Sequence, residues 1–237
     1  MKLLQTSTLF LLLFIFSNVQ AQRISGKGEK MVKNHAVQSF DKLVLSGVFN
    51  VTLKQGNINK VSVEAQKNIQ EYIVIEEKRG TLDIHFKKKF DLKRHKKINI
   101  EVTFTDLQEI ESSMVGNLNS DGTLHLESLI FDNASVGNTN LALDVKKLDM
   151  DLSAVGNVHI SGHADKTNIE SSIVGNLDAS DLIVQYLDID NSSVGNVRVH
   201  ADVELAIDHS GIGSLHYYGD AQITALSSSG IGKIKQH

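Results

Sequence analysis

Cysteine, proline and tryptophan are all absent from this 237-residue chain, and only 5% of it is aromatic. Without Cys there is no disulfide framework, no thiol chemistry and no lipid-accepting thiol behind an export signal. Average Pro usage of about 5% would give roughly a dozen in a chain this long. Pro cannot donate to a β ladder and is kept out of central strands, so a chain built almost wholly of ladders should avoid it. Few aromatics suit a narrow interior filled by aliphatic side chains. Long apolar runs are scarce too. One lies at the start, where Leu9 to Phe16 follow Lys2 and precede Val19-Gln20-Ala21. That run is too short to span a bilayer, and its order of charge, apolar run and small residues is that of a cleaved secretory signal.

Residues 1–21 are therefore expected to be removed, leaving Gln22 as the mature N-terminus. The mature chain then carries 23 basic residues against 28 acidic ones, a net charge of −5. That mild acidic excess argues against a nucleic-acid partner. The expected location is exported: periplasm, outer-membrane surface or medium. No transmembrane segment is expected after signal cleavage.

What is present is a repeat. The sequence Ser-x-Val-Gly-Asn, or a close variant, recurs around Gly116, Gly137, Gly156, Gly175, Gly195, Gly213 and Gly232. The intervals are 21, 19, 19, 20, 18 and 19 residues. A fixed period near 20 is the mark of stacked equivalent turns. Counted from each Gly, position −6 is always apolar (Ile110, Phe131, Met150, Ile169, Ile189, Ile207, Leu226) and position −1 always β-branched (Val115 through Ile231). Around −8 to −6 and +2 to +4, apolar and polar residues alternate, as in Leu148-Asp149-Met150-Asp151, the pattern of half-buried strands. The alternation is expected to change phase between −4 and −1, with the −1 residues pointing inward and Gly turning a corner. Asn follows Gly in five turns, Asn117 to Asn196, and stacked Asn side chains can bond along the axis. The predicted fold is all-β: a right-handed parallel β-helix (β-solenoid) of about seven 19–20-residue coils, each with two or three short strands.

Residues 22–37 are expected to be a linker and 38–237 a single domain, with 38–104 as atypical strand-rich capping coils and 105–237 as repeat coils. Ser46-Gly47-Val48-Phe49-Asn50 reads as a degenerate copy of the motif. Lys87, Lys88, Lys89, Lys93, Arg94, Lys96 and Lys97 face Asp91 alone, a net +6 that can contact an acidic surface or serve as a solvated hairpin tip.

Catalytic chemistry is not evident. None of the ten His stands at metal-ligand spacing with a third partner. His159, Asp178, Arg198 and His216 share position +3 and should form a surface row. The acids Asp149, Asp151, Asp178, Asp188 and Asp190 look scattered, with Asp151 and Asp190 two coils apart. No catalytic, cofactor-binding or metal-binding residue is therefore assigned, and no cofactor is expected.

Two features together resemble a family. One is the segment Phe40-Asp41-Lys42-Leu43-Val44-Leu45-Ser46-Gly47-Val48-Phe49-Asn50. The other is the Gly-centred repeats ending in Ser210-Gly211-Ile212-Gly213 and Ser229-Gly230-Ile231-Gly232. They resemble the auto-transporter adhesin head GIN domain family (a DUF2807-type domain) common in exported proteins of Bacteroidetes, over about residues 38–235. The resemblance implies a right-handed β-helix-like fold and export, and carries over no catalytic residue; binding of a surface ligand, glycan or protein is the expectation raised by a rod with repeated faces. The reading is a non-catalytic binding protein. The rivals are a scaffold that self-associates through its coil ends and, third, a carbohydrate-active enzyme on the same fold.

Overall fold

A computed structural model describes residues 22–87 and 90–237; the predicted signal, residues 1–21, lies outside the described residues. The front of the chain holds β1 (Gln22–Ile24), β2 (Lys30–Ala36), β3 (Lys42–Val48), β4 (Asn50–Gln55) and β5 (Lys60–Gln66). The single turn of helix α1 (Lys67–Gln70), then β6 (Ile73–Lys78), β7 (Thr81–Phe86), β8 (Phe90–Leu92) and β9 (Asn99–Phe104) complete it. The repeat region follows as β10 (Glu109–Val115), β11 (Leu118–Asn133), β12 (Thr139–Leu152), β13 (Val158–Ser171), β14 (Leu177–Asn191) and β15 (Val197–His209). The last coils hold β16 (Leu215–Tyr218), β17 (Gln222–Ser228) and β18 (Ile234–Gln236).

The repeat region is a β-solenoid of about seven turns. Strand pairs with strand in parallel from β10 to β15, and β16, β17 and β18 continue the stack. Register is nearly constant: Leu118, Thr139, Val158, Leu177, Val197, Leu215 and Ile234 stand one above another. The inner columns are aliphatic. Ile110, Phe131, Met150, Ile169, Ile189 and Ile207 are all buried, which makes the −6 position the spine of the core.

Three details differ from the sequence expectation. First, each central coil is one long bent strand, 13 to 16 residues from β11 to β15, closed by a single bridge at −1. Second, alternation runs unbroken from −8 to the Gly; the phase slips ten residues earlier, where two outward residues follow one another, as at Lys146-Lys147, Asp165-Lys166 and Gln185-Tyr186. Third, the β-branched residues at −1 point outward and are about half exposed. The sequence misleads here because position −4 is mostly polar yet buried. Ser112, Asn133, Ser171, Asn191 and His209 lie inside the coil. They are paired inside the coil: Ser112 Oγ with Ser135 Oγ at 2.8 Å and Ser171 Oγ with Ser193 Oγ at 2.8 Å, both to −2 residues of the next coil, and Asn191 Nδ2 donating to His209 Nδ1 at 2.8 Å. His209 Nε2 then donates to the Gly213 carbonyl at 3.1 Å. Such a chain is tolerated in a core because its polar atoms are paired.

Segment 22–37, expected as a linker, instead carries β1 and β2, which pair with β8 and β5. β3 and β4 form a coil that stacks on the first repeat coil. Its Val48 pairs with Val115, and Asn50 Oδ1 accepts from the backbone of Asn117, so Val48-Phe49-Asn50 is a true copy of the motif with Phe in place of Gly. Beyond it, β7 and β9 add a partial coil, and β2, β5 and β6 close the end with antiparallel pairings.

The motif glycines take φ values from 131° to 153°, a region that favours Gly. Space is a second constraint. A Cβ on Gly156 would fall onto the carbonyl oxygen of Gly137, and a Cβ on Gly175 onto that of Gly156. Both effects act at Gly156 in mid-stack. Gly156→Val is expected to destabilise the fold by about 3 kcal/mol or more, from backbone strain and an unavoidable backbone clash. A thermal melt tests this; an unchanged midpoint contradicts the close approach.

Candidate binding surface

Because register is constant, every outward position becomes a column. The −1 column is an aliphatic ridge: Val48, Val115, Val136, Val155, Val174, Val194, Ile212 and Ile231, each 40–72% exposed. Consecutive members are bridged in parallel, so at about 4.8 Å per coil the ridge is about 34 Å long. On one side, at −3, runs a column of small exposed residues: Ser46, Ser113, Ala134, Ser153, Ser172, Ser192, Ser210 and Ser229. On the other side, at +1, stands the Asn ladder.

The Asn ladder does structural work at the surface. Asn117 Oδ1 accepts the backbone N–H of Asn138 at 3.0 Å, Asn138 that of Asn157 at 3.1 Å, Asn157 that of Asn176 at 3.2 Å, and Asn176 that of Asn196 at 3.0 Å. Each side chain thus ties its own coil to the next. Asn176 Nδ2 also donates to Asn157 Oδ1 at 3.0 Å.

The −5 column is acidic in six of its seven coils and ends at Ser227. Glu111, Asp132, Asp151, Glu170, Asp190 and Asp208 pair in register from β10 to β15. Of the five acids that looked scattered in the sequence, Asp151 and Asp190 belong to this ladder, Asp149 and Asp188 share position −7, and Asp178 lies at +3. The signal for all six in the sequence is their shared offset of five residues before a motif Gly. Like charges at strand spacing repel, and the strain shows at Asp132. Burial raises its pKa first, then the charges of Asp151, Glu111 and Glu109, against a lowering by Lys42. At the end of the ladder Lys42 Nζ bonds Glu109 Oε1 at 2.9 Å and also Glu111. Those hydrogen bonds raise the Lys42 pKa. Glu109, Glu111 and Asp132 present oxygens close enough to share a cation, but the Lys42 ammonium already takes up Glu109 and Glu111. The ladder carboxylates all stand on one open face.

The +3 row forms as the spacing implies: His159, Asp178, Arg198 and His216 are in register, and Arg198 lies 3.5 Å from Asp178. Burial opposes the charge of Asp178, but hydrogen bonds from the Ser180 hydroxyl and backbone, with Arg198 and His159, hold its pKa below the ordinary value.

The basic segment is not a hairpin tip. β8 pairs in parallel with β1, Lys93 N donates to the Ile24 carbonyl at 2.8 Å, and Gly26 N donates to the Arg94 carbonyl at 2.8 Å. Residues 22–26 are thus laced along it. Lys87 Nζ stands 5.8 Å from the Tyr72 ring centre, at the outer reach of a cation–π contact. Lys96 Nζ bonds Glu29 at 2.6 Å. Lys93, Arg94 and Lys97 are exposed, while Lys88 and Lys89 lie outside the described residues.

No helix among the described residues is long and apolar enough to cross a membrane.

The family described as "Putative auto-transporter adhesin, head GIN domain" matches residues 39–221. Among solved structures, a putative adhesin from Bacteroides fragilis superposes with a TM-score of 0.85 at 26% identity, over 90% of this chain and 100% of that one. A putative lipid binding protein from Parabacteroides distasonis gives 0.68 at 20% identity, over 90% and 99%. A putative adhesin from Parabacteroides merdae gives 0.65 at 16%, over 92% and 100%. The last two share the fold alone. No curated protein matches the sequence.

The raised Asp132 pKa fixes a sign. A carboxylate raised in the folded state favours folding when protonated, and that contribution is lost as pH rises through the folded value. Asp132→Asn is therefore expected to raise the urea midpoint at pH 7 and to lose that advantage below about pH 4, the ordinary Asp value. A variant less stable than wild type at pH 7 contradicts the like-charge account.

Proposed function

The chain belongs to the auto-transporter adhesin head GIN domain family, and from that premise we propose that it is an exported, non-catalytic binding protein of the cell surface or envelope. The observation that supports this most is the columnar surface. Six carboxylates, eight aliphatic side chains and a line of asparagines each repeat at the coil spacing. A surface of equivalent contacts binds by summing many weak ones, as multivalency allows. Export follows in this reading from the signal-like residues 1–21, cleaved before Gln22. A surface ligand, glycan or protein, is the partner, and nucleic acid is not.

Within the proposal, the exposed cations of the basic segment, Lys93, Arg94 and Lys97, with Lys87 beside Tyr72, form a contact zone of sign opposite to the acid ladder. Binding of mature protein to whole cells and to a glycan array tests the reading. Lys93→Gln/Arg94→Gln/Lys97→Gln is expected to weaken binding about tenfold or more, with the melt unchanged. Blank binding on both supports removes the adhesive reading; full binding by the triple variant removes the segment from it.

A second reading is a scaffold that stacks through coil ends. It is favoured by the last coil, which leaves Leu226 59% exposed while the opposite end is closed by β2, β5 and β6.

A further inference from the structure

The aliphatic ridge is the largest feature that ligand binding by the charged columns leaves unexplained. Its neighbours at −5 and +1 are polar in nearly every coil, yet all eight ridge positions are Val or Ile. The exposed fractions amount to roughly 600 Å² of contiguous aliphatic surface, the upper end of what a monomer leaves in one patch. A stable dimer buries about 800 Å² on each partner. The ridge with its flanking Ser and Asn columns reaches that size.

We propose that the ridge is a side-by-side contact between two copies of this chain. Three observations select a second copy as the occupant. The first is area, as above. The second is period: only a partner with the same coil spacing stays in step along about 34 Å, and an identical solenoid does. The third is shape. Beside the ridge lies the column of Ser and one Ala, a shallow trough that a Val of the other copy can enter, and two such faces are self-complementary about a two-fold axis.

Charge then chooses the orientation. With the axis across the rods, the copies run antiparallel and acid ladder faces acid ladder. With the axis along the rods, they run parallel, each ridge lies in the other's trough, and the ladder from Glu111 to Asp208 comes over the partner's asparagines. Like-charge juxtaposition disfavours the first. The dimer is parallel, with equivalent coils level. This goes beyond the binding reading and does not depend on it.

Sedimentation equilibrium of mature chain 22–237, from micromolar to about 0.5 mM, is expected to show a dimer. Val155→Asp/Val174→Asp is expected to be monomeric with unchanged circular dichroism. Should that variant not fold, Val155→Thr/Val174→Thr keeps the β-branched shape and is expected to weaken the dimer tenfold or more. A monomeric wild type, or variants that dimerise as tightly, overturns the proposal. Since the chain has no Cys, Val115→Cys serves as a clean probe of orientation. On oxidation it is expected to cross-link to itself; cross-linking only when mixed with Ile212→Cys overturns the parallel arrangement. Loss of dimer through Leu226→Asp with the ridge variants unaffected assigns association to the coil ends and overturns the ridge.

Discussion

The contact on which this molecule depends is the approach of one coil's backbone to the next at the motif Gly. There the Gly156 N–H donates to the Val174 carbonyl at 3.0 Å, while the Gly137 carbonyl fills the space a Cβ would need. Beside it, each Asn side chain accepts the N–H of the following Asn. Regular ladder bonds hold the long strands, but a bend interrupts a ladder and leaves N–H groups to be satisfied some other way. Gly permits the bend to stack without a gap, and Asn supplies the missing acceptor. The pair Gly-Asn therefore fixes the coil spacing at the most exposed edge of the solenoid.

Constant spacing has a price in electrostatics and a benefit in recognition. Whatever residue occupies an outward position is placed directly above its counterpart, so six acids become a ladder and eight aliphatics a ridge. In a globular fold those residues would be dispersed. Here the fold turns a weak sequence bias into a one-dimensional field or an apolar line. Lys42 closes one end of the acid ladder by bonding Glu109 and Glu111, which relieves the repulsion locally and leaves Asp132 as the strained member. A ladder of carboxylates along one face suits contact with an extended partner.

The solenoid was legible because its signal is repetition: seven glycines, apolar −6 residues and five Gly-Asn pairs set the stack and its axis. The in-register copy at Val48-Phe49-Asn50 was legible as well, since Asn50 and Val48 keep their offsets even where Phe49 replaces Gly. The direction of the −1 residues was not. Valine there reads as core by hydropathy, and buried Ser112, Asn133, Ser171 and His209 read as surface, so polarity gave the wrong parity on one side of the corner. Only hydrogen bonds among those buried groups, invisible in a linear pattern, make their burial tolerable. The acid ladder is legible only along one column, five residues before each motif Gly, because acids at −7 and +3 lie between its members in the chain. The role of residues 22–36 was illegible: β1 and β2 owe their place to partners in β8 and β5, which lie far along the chain.

The central claim is that the exposed Asn of each coil holds the next coil in step. Amide hydrogen exchange on the mature protein tests it most directly. The backbone N–H groups of Asn138, Asn157, Asn176 and Asn196 belong to exposed residues, and without the side-chain acceptors they would exchange as fast as an exposed bulge residue such as Gly122, which lies where the β11–β12 register slips. The account predicts protection matching that of the neighbouring ladder amides of Val155 and Leu177. Exchange at the rate of Gly122 would contradict it.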